Sequence, residues 1–228
     1  MMSEIGVFEA IHTARALRRL KPDPVPDEIL TKVLDAAIRA PSASNTQNWA
    51  FVVVKDPEQR RRIADIYRQA FDMMQTMYRE RRPAPHQTGA SYKKMMGAAD
   101  HMAQHLHEVP VMIIAGLLMP ASAVAQPAPE HAARVASVAP KISGSSIYPA
   151  VQNILLACRA LGLGSVLTTI HAYFNDDVRQ VLSLPPEFTT YAMLPVGYPE
   201  EGFGHGPVKR RPVGEVAFLD RWGNNWRA

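Results

Sequence analysis

The sequence predicts an α+β fold. Helical and strand patterns mix along it without a regular βαβ alternation. Two β-branched apolar runs, at 49–55 and 111–118, read as buried strands. The apolar residues of 145–161 recur at helical spacing with little polar surface between them, which puts that helix inside the molecule.

The other elements follow in order. Residues 5–14 read as a short helix with Val7, Phe8 and Ile11 on one side. Pro22, Pro24 and Pro26 then break the chain. Pro26 suits the first turn of a second helix and Asp27 and Glu28 suit its positive end, with Ile29, Leu30, Val33, Leu34, Ala37 and Ile38 keeping the period until Pro41. After the strand at 49–55, a helix begins at Asp56-Pro57 and runs into the region of Met73, Met74 and Met77. Residues 83–92 read as loop and 93–107 as helix. The stretch 120–143, rich in Ala and Pro and weakly patterned, reads as a mobile insertion or lid. Gly162 caps the 145–161 helix. Strands are expected at 164–169 and 189–197, a short helix at 175–183 and a last strand at 213–218, with Trp222 and Trp226 in the tail.

Composition narrows the function. A chain of 228 residues, 47% hydrophobic and 20% charged, suits one globular domain. No apolar stretch reaches membrane-spanning length and the N-terminus lacks a signal-peptide pattern, so a cytoplasmic location is expected. The single cysteine, Cys158, excludes an internal disulfide, CxxC chemistry and a thiolate zinc site. Electrons, if the protein moves any, must then reside on a bound cofactor. The net charge of +4 is mild, and the arginines are not interleaved with aromatics, which argues against nucleic acid.

Several motifs can be weighed on their own chemistry. Gly162-Leu163-Gly164 lacks the third glycine and the strand-then-helix order of a dinucleotide fingerprint, so it reads as a helix cap. His101 and His105 share a helix face at a spacing metals use, but no further ligand completes the set and surface histidines are the simpler reading. No serine nucleophile elbow and no phosphate-cradling glycine loop is present. The 41–49 stretch crowds Ser42, Ser44, Asn45 and Gln47 between a helix and a strand. Such a loop either hydrogen-bonds a polar heterocycle or phosphate, or is a turn that satisfies itself. Arg15, Arg18 and Arg19 near the start and Lys209, Arg210 and Arg211 near the end could meet around a phosphate, or lie separately in solvent.

Four motifs in order resemble one family. They are Arg15-x-x-Arg18-Arg19-Leu20-Lys21-Pro22, Pro41-Ser42-x-x-Asn45-x-Gln47-x-Trp49, Leu161-Gly162-Leu163-Gly164-Ser165-Val166 and Lys209-Arg210-Arg211-Pro212. Together, over about residues 10–60 and 144–216, they resemble the FMN-dependent nitroreductase superfamily. The resemblance implies a central mixed or antiparallel sheet surrounded by helices, in an intertwined homodimer with FMN at the interface. It also implies variable lid segments near 70–98 and 120–143, where Met73, Met74, Met77, Tyr78 and Met95 could line a substrate site or pack the core. The family's Arg-Arg-Ser-x-Arg phosphate segment falls on Ala14, Arg15, Ala16, Leu17 and Arg18, so the first arginine and the serine are replaced. By the resemblance, Arg15 meets the phosphate, Ala16 offers only its backbone and Arg18 lies near the flavin N1 and O2. Pro41, Ser42, Asn45 and Gln47 pack over the partner's flavin, with Asn48 standing where the family has proline. Leu167, Thr168 and Thr169 run along the isoalloxazine edge, with a backbone or hydroxyl donor there for N5, and Lys209 and Arg210 return to the phosphate. The implied activity is ping-pong hydride transfer from NADPH or NADH to a nitroaromatic, quinone or similar small acceptor, with no catalytic protein side chain. Alternatives are a flavin-sequestering protein without turnover and a dehalogenating or flavin-fragmenting member of the superfamily.

Overall fold

A computed structural model describes residues 5–80, 83–119 and 127–226. Its elements in chain order are α1 (Val7–Thr13), α2 (Asp27–Ala37), β1 (Trp49–Val54), α3 (Pro57–Glu80), α4 (Gly89–His105) and β2 (Val111–Leu118). Then come α5 (Pro129–Ile142), α6 (Ile147–Ala160), β3 (Gly164–Ser165), α7 (Asn175–Leu182) and β4 (Phe188–Gly197). The four strands form one sheet in the order β1-β2-β4-β3, every pair antiparallel.

Alternation along β2 makes two cores. Ile113, Ala115 and Leu117 face one side of the sheet, where they pack with Val33 and Ala37 of α2 and Ile147, Val151 and Ile154 of α6. Met112 and Ile114 face the other, where Ile63, Tyr67 and Phe71 of α3 and Met102 and Ala103 of α4 cover them. The result is a sheet between two helical layers, the α+β architecture the sequence predicts. Ile154 is fully buried, so truncating it to alanine would cost about 2–5 kcal/mol. A bulge at Ala115/Gly116 accommodates a close approach: a Cβ on Gly116 would stand 2.4 Å from the Thr189 carbonyl oxygen.

α6 ends as its glycine predicts. Gly162 takes φ 73°, and Leu163 N–H donates back to the Cys158 carbonyl at 2.8 Å. Pro26 stands at the N-cap of α2 instead of inside its first turn. Other expectations need correcting. β1 lies at the edge of the described sheet and is half-buried over most of its length, since only β2 pairs with it. α4 begins at Gly89, where Thr88 caps it by accepting from Ser91 N–H. The strand expected at 164–169 shrinks to Gly164–Ser165 plus one bridge, Thr168 to Met193. The strand expected at 213–218 is a 3-10 turn at Val213–Glu215, because this tail finds no sheet edge and bonds to itself, Trp226 N–H to the Ala217 carbonyl.

The expected lid at 120–143 divides: residues 120–126 lie outside the described residues, and 129–142 is a regular helix. Its apolar residues Val135, Val138 and Ile142 share one face and are all exposed. α1 behaves likewise, burying only Ala10 while Phe8 is 73% exposed. No described helix is long and apolar enough to cross a membrane.

Candidate functional site

The chain between α1 and Pro22 is extended and pinned to the sheet. Leu17 N–H donates to the Ser165 carbonyl at 3.0 Å, and Lys21 N–H to the Tyr198 carbonyl at 2.7 Å. Leu17 and Leu20 are buried against Gly164, where an added Cβ would come within 2.6 Å of Leu20 Cδ2. That close approach explains the glycine, and it fixes the arginines between and beside the two leucines.

Those arginines diverge. Arg19 is engaged: it stacks on Phe203 at 4.7 Å, lies 3.8 Å from Glu200 and contacts His101 Nε2 at 3.4 Å. Arg18 is half-buried, and among the described residues no carboxylate or hydrogen-bond acceptor meets its guanidinium. Burial pulls its pKa down, offset in part by the Tyr67 phenol. A half-buried cation left without a partner is costly unless a ligand completes it.

Arg18 lines a cavity of about 580 Å3 on the α3–α4 side of the sheet. Leu167, Thr168 and Thr169 form one wall of it; Tyr67, Phe71, Met95 and Met102 form an apolar one. Thr168 cannot offer its backbone, since its N–H donates to the Met193 carbonyl at 3.0 Å and its carbonyl accepts from Met193 N–H at 2.9 Å. Its hydroxyl remains, 3.3 Å from the Tyr67 hydroxyl. Of the donors expected around Thr168 and Thr169, the Thr168 amide is therefore withdrawn.

The C-terminal cationic segment docks beside the first one. Gly206 N–H donates to the Thr13 carbonyl at 3.0 Å and His205 Nε2 lies 2.8 Å from the Leu163 carbonyl, three to five residues before Lys209 and Arg210. Arg210 is exposed with only a 3.5 Å contact to the neighbouring Lys209 carbonyl, and Arg15 is exposed without an acidic partner among the described residues. Arg211, by contrast, pairs with Glu215 at 3.1 Å. The three arginines singled out for a flavin, Arg15, Arg18 and Arg210, thus meet no acidic partner among the described residues, whereas Arg19 and Arg211 are committed. Ala14 is half-buried and Ala16 exposed at the same strip.

The 41–48 loop is built but does not join this cavity. Ser44, Asn45 and Gln47 hold φ of 51°, 53° and 49°, the left-handed region. Side chains stabilise that path: Ser42 Oγ accepts from Gln47 N–H at 3.0 Å, and Gln47 Nε2 donates to Asn45 Oδ1 at 3.1 Å. Ser146, at the start of α6, accepts from Ala43 N–H at 3.1 Å through its hydroxyl and from the Trp49 indole at 2.9 Å through its carbonyl. The loop satisfies itself, as the second reading of its composition expects, and it remains exposed. α2 and α6 pack on the sheet face opposite α3 and α4, so Pro41, Ser42, Asn45 and Gln47 lie in the layer away from their own chain's cavity.

Of the methionines named for the lid, only Met95 lines the cavity; Met74 is buried, Met73 and Met77 are exposed, and the Tyr78 side chain lies outside the described residues. Tyr67, Phe71, Gln87, Tyr92, Met96 and Met102 were not singled out from sequence. A signal existed in the helical spacing of Tyr67 with Phe71, and of Tyr92, Met95, Met96, Ala99 and Met102. His101 and His105 do stack, with ring centroids 4.2 Å apart, but they serve Glu200 and Glu108 separately, and no metal-ligand cluster occurs among the described residues.

A sheet between two helical layers, with a cavity on the α3–α4 side that Arg18 helps to line, defines the class as an α+β protein with a covered cavity beside its sheet. Residues 11–198 match the Nitroreductase family, and the chain belongs to that family. It is 32% identical over 208 residues to an NADH dehydrogenase of Thermus thermophilus, covering 90% of this chain and 91% of that protein. It is 28% identical over 219 residues to iodotyrosine deiodinase 1 of Rattus norvegicus, covering 92% and 67%. Among solved structures, oxidised iodotyrosine deiodinase bound to FMN and 3-iodo-L-tyrosine superposes with a TM-score of 0.66 at 24% identity, covering 95% of this chain and 99% of that one. That likeness shares the fold.

Proposed function

We propose that this single-domain protein is an FMN-dependent NAD(P)H oxidoreductase that reduces nitroaromatic, quinone or similar electron-poor acceptors. The observation that carries the reading is Arg18, an unpartnered half-buried cation in a cavity walled by Leu167–Thr169 and by apolar side chains. A guanidinium so placed suits an electron-rich ring edge, and the free arginines Arg15 and Arg210 with Lys209 suit a phosphate. About 580 Å3 is ample for a cofactor-sized ligand.

Bound FMN would supply hydride acceptance from a reduced nicotinamide and hydride delivery to the acceptor. Arg18 holds positive charge against the ring edge where negative charge develops. The Thr168 hydroxyl, on a backbone tied to Met193, would be a donor to the ring when it accepts from the Tyr67 hydroxyl. Phe71, Met95 and Met102 would keep water from a flavin held there, and a donor and acceptor that take the same place in turn would give ping-pong kinetics.

The site is completed by a second copy of the chain. The exposed apolar faces of α1 and α5 and the strained, outward 41–48 loop support a homodimer in which Pro41, Ser42, Asn45 and Gln47 reach the partner's cavity. A dehalogenating reading is favoured by the deiodinase relatives.

The test is a visible spectrum of the purified protein before and after anaerobic NADPH or NADH, followed by an acceptor screen. A yellow protein bleached within seconds and reoxidised by quinones is the expected result. Yellow protein that neither donor bleaches is a sequestering protein, and protein that takes up no FMN overturns both readings.

A further inference from the structure

The loop between α3 and α4 places a polar residue in the cavity lining that neither the sequence motifs nor the flavin contacts explain. Gln87 lines the cavity wall formed otherwise by Phe71, Met95, Met96 and Met102. It is fixed by a reciprocal pair of hydrogen bonds: its backbone N–H donates to the Ala84 carbonyl at 2.8 Å, and its side-chain oxygen accepts from Ala84 N–H at 3.1 Å. A backbone N–H can only donate, so the atom facing Ala84 is Oε1 and the other is Nε2. That amino group carries two donors, and none has an acceptor among the described residues. The next residue, Thr88, is the N-cap of α4, its Oγ1 accepting from Ser91 N–H while Ser91 Oγ donates to the Thr88 carbonyl at 2.9 Å. Gln87 is thereby held between two closed turns before any ligand arrives.

We propose that Gln87 is the specificity-determining residue of the acceptor site, donating from Nε2 to an oxygen of the acceptor. This rests on the oxidoreductase reading above. The substrates it selects are flat, uncharged molecules with an oxygen acceptor at one end, such as a quinone or nitroarene, whose body lies on the Met and Phe wall. In the balanced reaction a quinone, NADPH and one proton give the hydroquinone and NADP+. Negative charge grows on the quinone oxygen as hydride equivalents arrive, so a fixed N–H donor there gains strength on the way to the transition state.

Two variants of the FMN-loaded protein test this. Gln87→Leu removes both the amino group and the bond to Ala84. Gln87→Glu keeps an oxygen for Ala84 N–H and removes the donors. The readout is kcat/KM for a benzoquinone divided by that for ferricyanide, which takes electrons without entering the cavity. In both variants this ratio falls roughly 10- to 100-fold, the range for one hydrogen bond to a group gaining charge. A second readout needs no turnover: 4-hydroxybenzaldehyde, titrated against the visible band of the oxidised protein, binds roughly five- to tenfold more weakly to both. A loss confined to Gln87→Leu means that Gln87 only braces its loop and overturns the proposal, as does an unchanged ratio with unchanged aldehyde binding. Either result leaves wild-type bleaching by NADPH intact, whereas failure of that bleaching sinks the oxidoreductase reading and leaves the aldehyde titration to judge Gln87. Protein without FMN overturns both.

Discussion

Replacing Arg18 by methionine should make the flavin-free protein more stable and the flavin complex weaker. The guanidinium is half-buried, its pKa is lowered chiefly by that burial, and no carboxylate or carbonyl among the described residues compensates it. Removing it therefore breaks no ion pair, while methionine fills the same volume beside Phe71 and Met102. Relief of an uncompensated, partly buried charge is worth about 1 kcal/mol, the lower end for exchanging buried ions for apolar groups. For a domain of this size that raises the unfolding midpoint by about 2–4 °C. A charge-assisted hydrogen bond to the flavin edge is worth about 1.5–3 kcal/mol, so FMN affinity should fall roughly 10- to 150-fold. Thermal unfolding of flavin-free protein at fixed protomer concentration, beside a flavin-fluorescence titration, measures both. A flavin-free variant that melts several degrees lower, or one that binds FMN as tightly as wild type, refutes the reasoning.

Other consequences can be checked independently. Arg210→Ala removes an exposed, acid-free cation and should weaken FMN binding about tenfold or more without changing the oligomer's size; unchanged affinity in the titration contradicts the phosphate assignment. Burial pushes His171 down to about 4, and neither ring nitrogen has a partner among the described residues. Its folded pKa lies below its unfolded value of about 6.5, so the unfolded chain binds more protons between them and stability falls as pH drops from 6.5 toward 4. His171→Phe should reduce the loss between pH 6.5 and pH 5 by about 1.5 kcal/mol, and melting curves whose pH dependence matches wild type would dismiss that role. Burial also raises the Cys158 thiol to about 12, so Ellman's reagent should not label native protein and should label one thiol per chain in denaturant; rapid native labelling would contradict the buried α6 face.

What was legible in the sequence was set by how locally each signal is encoded. α2 and α6 follow from their own apolar period and, for α6, from Gly162 just past its end. α5 is not legible because its Val135, Val138 and Ile142 stripe is set among Ala and Pro and stays exposed among the described residues. The tail at Val213 and Val216 has strand-forming residues but no partner strand, and pairing is a long-range event that no short window contains. The arginines show the same division. Residue type pointed to both whole clusters and the family resemblance narrowed them to Arg15, Arg18 and Arg210, but only the placement of Glu200 and Glu215 shows that Arg19 and Arg211 are taken. Gln87 carries no local signature, since its significance lies in which of its atoms faces Ala84.

The backbone of the 41–48 loop also dictates which substitutions the chain can accept over evolutionary time. At Ser44, Asn45 and Gln47 the left-handed φ admits Gly, Asn or Asp cheaply and penalises a β-branched side chain or proline. Thr46, between them at φ −68°, carries no such restriction. Drift at this loop should therefore alternate, narrow at 44, 45 and 47 and broad at 46. A saturation library scored for folded protein would show that pattern even where flavin is never supplied.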